Sequence, residues 1–279
     1  YGLALTTDSL MVFFWCLALT QFWQAFQRNR PWQWYATGFC VGLGFLAKYV
    51  VALFVPCAFL FLIASPEGRQ RLKSPHPWLG VALSAALTLP VWIWNAQHDW
   101  VTFRHTAGHA QLAAGLRFSA LSCLEFIGSQ AGLLTPLFGL IVCAVVYREF
   151  RRGQAMPIES RFLLCLSLPV YAFFFLKSLQ GRVQGNWAMA AYPALFPLIA
   201  LHLKQDWRLA KPGMRLFIAA SFWMAIGATL AVHSPLSQRM PEKLDPTFRL
   251  SGWKELEHWA THTRAEMPRD KPCCFFSDY

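Results

Sequence analysis

The chain has 279 residues, of which 56% are hydrophobic and only 14% charged, and its formal net charge is +11. Soluble domains carry about 25% charged residues, so this composition excludes a soluble globular protein. A helix needs roughly 17–25 apolar residues to cross a bilayer. Eight apolar stretches approach or reach that length: 8–26, 34–47, 49–65, 78–95, 131–147, 162–178, 188–203 and 216–232. They predict an all-α polytopic membrane protein with about eight transmembrane helices.

The second and third stretches form one apolar run, 34–65, interrupted only by Lys48. At about 1.5 Å per residue the run is too long for one upright helix and short for two. Basic residues flank both ends, with Arg30 before the run and Arg71 after it. Both ends therefore belong on one side of the membrane, which predicts a hairpin of two short helices that meet at Lys48.

The distribution of lysine and arginine predicts the orientation. With the hairpin in place, 13 of these residues fall in four loops on one face: 27–33, 66–77, 148–161 and 204–215. Short loops rich in lysine and arginine stay in the cytoplasm. The loops 96–130 and 179–187 are then predicted to face outward from the inner (cytoplasmic) membrane. The positive net charge is explained by this topology, and we expect no nucleic-acid partner because no dense basic cluster occurs.

The carboxyl-terminal part differs in composition from the rest. We divide the chain into a transmembrane domain, 1–232, and the start of an extracytoplasmic unit, 233–279. Helical spacing over 253–265 and an apolar-aromatic run at 273–279 predict a small α/β unit that is truncated. Residue 1 follows no start methionine or signal peptide, so we expect the chain to be an interior part of a longer protein.

Ionisable residues at membrane depth are expensive and mark candidate functional sites. Asp8 opens the first apolar stretch on the outer side, where it is either a helix cap alone or a cap with a function. Lys48 lies between two apolar half-length helices. Its ammonium either snorkels to the interface or points into a cavity to hold an anion, and we favour a phosphate.

Polar side chains in the outer loops extend this list of candidates. Asn95 and His98 belong to a polar cluster that follows the fourth apolar stretch. His105 and His109 are spaced i, i+4, as metal ligands can be, but the glutamate of H-E-x-x-H is missing. We therefore predict no metal site and keep a divalent metal as an open alternative.

The last outer loop contains a third group of candidates. Arg182 can fork onto a phosphate. Asn186, Trp187 and the following Tyr192 suit a sugar through hydrogen bonds and ring stacking, while an ordinary aromatic belt is the alternative.

These residues taken together resemble glycosyltransferase family 39, the protein mannosyltransferase and lipid A aminoarabinose transferase type with the C-type fold. The matching motifs are Thr7-Asp8-Ser9-Leu10, Gly42-Leu43-Gly44-Phe45-Leu46-Ala47-Lys48-Tyr49, Pro90-Val91-Trp92-Ile93-Trp94-Asn95, Gly185-Asn186-Trp187 before Tyr192-Pro193, and Gly252-Trp253. Each motif is loose alone, but their order and predicted side make the set specific. The resemblance spans essentially the whole chain.

The resemblance implies a polyprenyl-phosphate sugar donor and transfer of its hexosyl or pentosyl group to an acceptor hydroxyl on a glycan, lipid A or a protein. Lys48 and Arg182 would bind the donor phosphate. The sugar and acceptor cavity would be lined by Asp8, Asn95, His98, Asn186, Trp187 and Tyr192.

One departure from the family pattern concerns the catalytic acids. The family's acidic pair lies in an outer loop that would precede residue 1, so the catalytic base is unknown, Asp8 is the candidate within the chain, and we expect residues 1–279 alone to be inactive. Two other classes stay open. One is a transporter or flippase with Lys48 and Asp8 as an intramembrane charge pair, and the other is a non-catalytic subunit of envelope glycan assembly.

Overall fold

The computed structural model describes residues 6–109, 118–209, 211–234 and 253–266, and these are helical with no β-strand among them. The helices in chain order are α1 Thr7–Arg28, α2 Pro31–Ala47, α3 Phe54–Ala64, α4 Pro66–Leu72, α5 Pro75–Gln97, α6 Val101–His109, α7 Ala120–Leu134, α8 Pro136–Arg152, α9 Ile158–Cys165, α10 Leu168–Ser178, α11 Tyr192–Leu209, α12 Pro212–His233 and α13 Trp253–Glu266. Short 3₁₀ segments lie at Tyr49–Leu53, Gly153–Ala155 and Gly185–Ala191.

Four helical segments in the described part of the chain are long and apolar enough to cross a membrane: Thr7–Arg28, Pro75–Gln97, Ile158–Ser178 and Pro212–Ala231. The number rises to six if each of two bent helix pairs counts as one span. The multi-pass helical class is thus confirmed, whereas the count of eight crossings stays a prediction. Helices α2 and α11 correspond to two of the eight predicted segments but are not among these candidate spans. Helix α2 has only 17 residues, and the last turns of α11 carry charged residues.

Helix α1 lies at the centre of the main apolar core. Its fully buried side chains include Trp15 and Phe22. The Phe22 ring lies 5.9 Å from that of Phe54 and 5.6 Å from that of Phe162, measured between ring centroids. Aromatic rings contribute large apolar areas and prefer such inclined contacts. The first helix therefore packs against side chains from α3 and α9.

Helices α2 and α5 approach each other through small residues. A Cβ atom on Gly38 would lie 2.0 Å from the carbonyl oxygen of Gly80, and one on Gly80 would lie 2.6 Å from that of Trp34. Four residues further on, a Cβ on Gly42 would lie 2.8 Å from the Leu87 side chain and 3.2 Å from the carbonyl oxygen of Ser84. Small residues at every fourth position allow membrane helices to pack with their backbones in contact.

The apolar run 34–65 turns back on itself at Lys48. Trp34 at its start packs on Phe22, with ring centroids 5.8 Å apart, and Phe61 near its end packs on Phe26 at 4.8 Å. Lys48, in the middle of the run, contacts Asp8 at the opposite end of α1. Both ends of the run consequently lie beside the carboxyl-terminal half of α1, which is the arrangement of a hairpin.

The predicted crossing 131–147 is not one straight helix. It is divided between α7 and α8. The segments Ala120–Leu134 and Pro136–Ala155 are bent by 101° relative to each other. The break lies at Thr135, whose φ is 66°, directly before Pro136. Proline lacks the N–H that would continue the hydrogen-bond ladder. An apolar pattern alone does not reveal such a break.

The chain divides into two units, residues 1–219 and 220–279. In the second unit the described part consists of the end of α12 and of α13. Helix α13, Trp253–Glu266, agrees with the helical spacing predicted there. The strand expected at 273–279 lies outside the described residues, so the α/β character of this unit stays a prediction.

Candidate active site

Asp8 lies in the first turn of α1 and is only 4% exposed. Its two carboxylate oxygens have different partners: Oδ1 forms a short ion pair with Nζ of Lys48, and Oδ2 accepts a hydrogen bond from Nδ2 of Asn186 at 2.9 Å. Thr6, at the N-cap position, makes no side-chain cap bond. The carboxylate is therefore engaged by side chains from distant parts of the sequence, which a simple helix cap would not require.

Lys48 ends α2 and precedes the 3₁₀ segment Tyr49–Leu53. Its side chain is 24% exposed, and its ammonium contacts Asp8. The end of α2 reaches α1 because Gly44 leaves space, since a Cβ there would lie 3.1 Å from Cβ of Phe14. A lysine whose ammonium is paired and partly accessible can also hold an anion that reaches it.

Asn186 is the second residue of the 3₁₀ segment Gly185–Ala191, which connects the loop after α10 to α11. Its amide reaches Asp8 across 178 positions of sequence. Asp8, Lys48 and Asn186 thus form one contiguous polar cluster, which we call the Asp8 cluster. All three are predicted candidates, and they come from three separate segments of the sequence.

Arg182, the second predicted phosphate ligand, is not part of the Asp8 cluster. Its side chain is 83% exposed, and its Nε lies 3.7 Å from a carboxylate oxygen of Glu125 on α7. Within the described residues no hydrogen bond or ion pair joins it to Lys48. An exposed arginine on a loop would have to change its rotamer, and its partner, to reach a phosphate at Lys48.

Asn95 and His98 serve the joint between α5 and α6 in this structure. Asn95 is buried, donates from Nδ2 to the carbonyl of Val91 at 2.9 Å, and accepts from the backbone N–H of Thr102 at 3.2 Å. The exposed His98 ring stacks on Trp94 with centroids 4.1 Å apart. These contacts support the backbone at this corner, and the roles of Asn95 and His98 in a sugar or acceptor cavity stay predictions.

Trp187 and Tyr192 follow Asn186 and are turned toward protein. Trp187 is half-buried against the main core, with its ring 6.2 Å from that of Phe174. The Tyr192 hydroxyl donates a short hydrogen bond to Oε1 of Gln130. Both side chains therefore stabilise the segment that carries Asn186, and their roles in sugar binding stay predictions.

The possible metal ligands do not form a cluster. Over 6–109, 118–209, 211–234 and 253–266 no three His, Cys, Asp or Glu side chains come together as a metal would need. His105 is exposed on α6, and the side chain of His109 lies outside the described residues. The described residues thus offer no such ligand set, and a divalent metal stays an open alternative.

Two buried ionisable residues, Glu149 and His202, were not among the predicted candidates. Glu149 on α8 is fully buried and accepts from Nη1 of Arg152 at 2.6 Å and from Nε2 of the buried His202 on α11. His202 lies within the apolar stretch 188–203, and an ionisable residue in such a stretch is a signal that could have identified it. Glu149 gave no such signal, because it lies among the arginines of a predicted cytoplasmic loop.

Comparison with known proteins identifies similarities over most of the chain. The family model described as dolichyl-phosphate-mannose-protein mannosyltransferase matches residues 1–94, which include Asp8 and Lys48. Over 242 residues the chain is 31% identical to the lipid A galacturonosyltransferase RgtD of Rhizobium johnstonii (strain DSM 114642 / LMG 32736 / 3841). That alignment covers 86% of this chain and 48% of the relative, so the chain spans less than half of the relative's length. No solved structure matches the chain.

Proposed function

We propose that the protein transfers a sugar from a polyprenyl-phosphate donor to an acceptor hydroxyl. The premise is that the chain is a membrane protein of the glycosyltransferase family 39 type. The observation that carries this proposal is the Asp8 cluster, in which a buried carboxylate, an ammonium and an amide meet. The reaction requires a cation at the phosphate oxygens and a base for the acceptor hydroxyl. We assign the chemistry to this cluster.

Lys48 has the role of a phosphate ligand in this proposal. When the bond between sugar and phosphate breaks, negative charge develops on the phosphate oxygens, and a preorganised cation stabilises it. Lys48 is fixed by the end of α2 and by Asp8. Arg182 is proposed as a second cation that approaches only after donor binding, because it now pairs with Glu125.

Asp8 and Asn186 have the role of orienting the sugar and the acceptor. A general base has to take the proton of the acceptor hydroxyl. Asp8 is the carboxylate of the cluster, and it contacts Lys48, the proposed phosphate ligand. Asn186 holds its second oxygen. Asp8 is therefore proposed either as this base or as a support for another base.

The finer features of this proposal concern topology and substrates. We propose a protein of the inner membrane with about eight crossings, with the Asp8 cluster facing outward and with residues 233–279 in an extracytoplasmic unit of α/β type. The similarity to a lipid A galacturonosyltransferase favours a uronic acid donor and a lipid A acceptor. Other hexosyl or pentosyl donors and glycan or protein acceptors are alternatives that the assay below includes.

The ion pair between Asp8 and Lys48 would also suit a flippase, since transporters place charge pairs at membrane depth. The two functions differ in their product. A transferase forms a new glycosidic bond, whereas a flippase moves the lipid-linked sugar and leaves it intact.

The test is sugar transfer by the full-length protein in proteoliposomes, with polyprenyl-phosphate galacturonic acid, mannose and aminoarabinose as donors and lipid A as acceptor. Lys48→Met removes the charge and keeps most of the bulk. We expect about a 10²–10³-fold lower kcat, as for removal of one preorganised electrostatic group. Asp8→Asn should cause a loss of similar size.

The matched control is Lys177→Met. Lys177 lies in the last turn of α10, and its Nζ donates to the neutral amide oxygen of Gln180 at 2.8 Å. It should retain wild-type turnover. Full activity of Lys48→Met would refute the phosphate role, and flipping of an intact donor without transfer would refute the transferase.

A further inference from the structure

One buried side chain is bonded to both ends of the segment that carries Asn186. Gln130 on α7 is 4% exposed. Its Nε2 donates to the carbonyl oxygen of Gly185 at 2.9 Å, and its Oε1 accepts a short hydrogen bond from the Tyr192 hydroxyl. Gly185 is the first residue of the 3₁₀ segment, and Tyr192 directly follows its last.

The segment needs such an external support. Runs of 3₁₀ helix longer than three or four residues are uncommon because their hydrogen-bond geometry is poor, and this one has seven residues. It is also tightly seated on the protein. A Cβ on Gly185 would lie 2.9 Å from Oγ of Ser129, and the side chains of Ala188 and Ala190 are fully buried.

Asn186 immediately follows the residue that Gln130 holds. Its amide donates to Asp8 at 2.9 Å, so a displacement of Gly185 would be transmitted directly to that bond. We infer that Gln130 and Tyr192 form a positioning pair that holds Asn186 against Asp8. We call this positioning pair the clamp. Its effect on catalysis rests on the proposed function, whereas its effect on the position of Asn186 does not.

This assignment gives Tyr192 a different role from that of a sugar ligand. Its hydroxyl is used by Gln130, and its ring stacks on Phe196 at 5.6 Å between centroids. The two roles predict different behaviour. A sugar ligand acts independently of Gln130, whereas a member of the clamp has no effect once Gln130 has been removed.

The first experiment measures hydrogen–deuterium exchange of the backbone amides over 185–191 in the full-length protein, and it needs no substrate. Gln130→Leu keeps the bulk but removes both bonds, so exchange there should be faster than in the wild type. The control is Gln33→Leu on α2. Gln33 is also buried and bonds to Oε1 of Gln24 at 3.0 Å, so its loss should leave the exchange of 185–191 unchanged.

The second experiment is a double-mutant cycle on sugar transfer from polyprenyl-phosphate galacturonic acid to lipid A. Gln130→Leu should lower kcat by between about 10- and 100-fold, as expected for a misplaced reacting group, with a smaller change in KM. In an Asn186→Ala background the same substitution should have almost no further effect, because residues that act through one another are not additive. Tyr192→Phe should likewise add nothing to Gln130→Leu.

The outcomes separate the two proposals. Unchanged exchange over 185–191 in both Gln130→Leu and the isosteric Tyr192→Phe would overturn the clamp, whatever the activity. Additive losses of kcat for Gln130 and Asn186 would overturn the positioning role and leave a purely structural glutamine. A wild-type protein that transfers no sugar would refute the proposed function, and the exchange measurement would still decide the clamp.

Discussion

The contact between α2 and α5 allows a strong test of the fold through a single methyl group. Gly38→Ala adds one Cβ atom, which would lie 2.0 Å from the carbonyl oxygen of Gly80. That oxygen belongs to the backbone of α5, so no side-chain rotamer can relieve the clash. The two helices have to separate by more than an ångström, since ordinary contacts of a Cβ begin near 3.4 Å.

The expected cost follows from this geometry. Overpacking a well-packed core typically costs about 1–3 kcal/mol, and the upper part of that range applies because the obstacle is main chain. For a chain of this size each kcal/mol corresponds to roughly 2–4 °C in Tm. We therefore expect Gly38→Ala to unfold about 5–10 °C below the wild type.

The assay is thermal unfolding of the purified protein in detergent, followed by size-exclusion chromatography after heating. Gly139→Ala is the matched control, because Gly139 lies in α8 and its added Cβ would meet nothing within 4 Å. There alanine should be neutral or raise Tm slightly, since alanine is favoured over glycine in helices by up to about 1 kcal/mol. Equal Tm values for the two variants would refute the close packing of α2 on α5.

Two further predictions concern Glu149 and the 34–65 hairpin. Glu149→Ala should lower the free energy of unfolding by about 1–3 kcal/mol, because it leaves a ring nitrogen of the buried His202 without its hydrogen-bond partner. Glu159→Ala on α9, where the glutamate is exposed, should change Tm little; equal shifts would show that the buried contact contributes nothing. Reporter domains fused after Arg30 and after Arg71 should both be cytoplasmic if the run 34–65 is a hairpin, and reporters on opposite sides would contradict that topology.

The apolar stretches were sufficient to predict where most helices lie. Solvation explains this, because hydrocarbon tolerates only backbone whose polar groups are paired within the segment. The 8–26 stretch became α1 and the 78–95 stretch became α5 with only small shifts of their ends. The break at Thr135 was not predicted from the apolar pattern, although Pro136 directly after it is a sequence signal for a helix boundary.

The energetic cost of polar groups at membrane depth also made it possible to predict which residues belong to the Asp8 cluster. Asp8 and Lys48 were selected because each interrupts or borders an apolar segment. The same rule could not show that Arg182 pairs with Glu125, nor that Asn95 is used at a helix joint. Such choices depend on which neighbour lies within hydrogen-bond distance.

The tertiary structure alone decided the supports of the cluster. Gln130 is an ordinary glutamine near the end of a helix until folding places Gly185 and Tyr192 on either side of it, 55 and 62 positions away. Glu149 likewise meets His202 across 53 positions. The periodicity and composition of a segment indicate which environment, apolar or aqueous, surrounds its residues. Contacts between distant residues follow from the packing of helices, which depends on details such as the missing Cβ of Gly38.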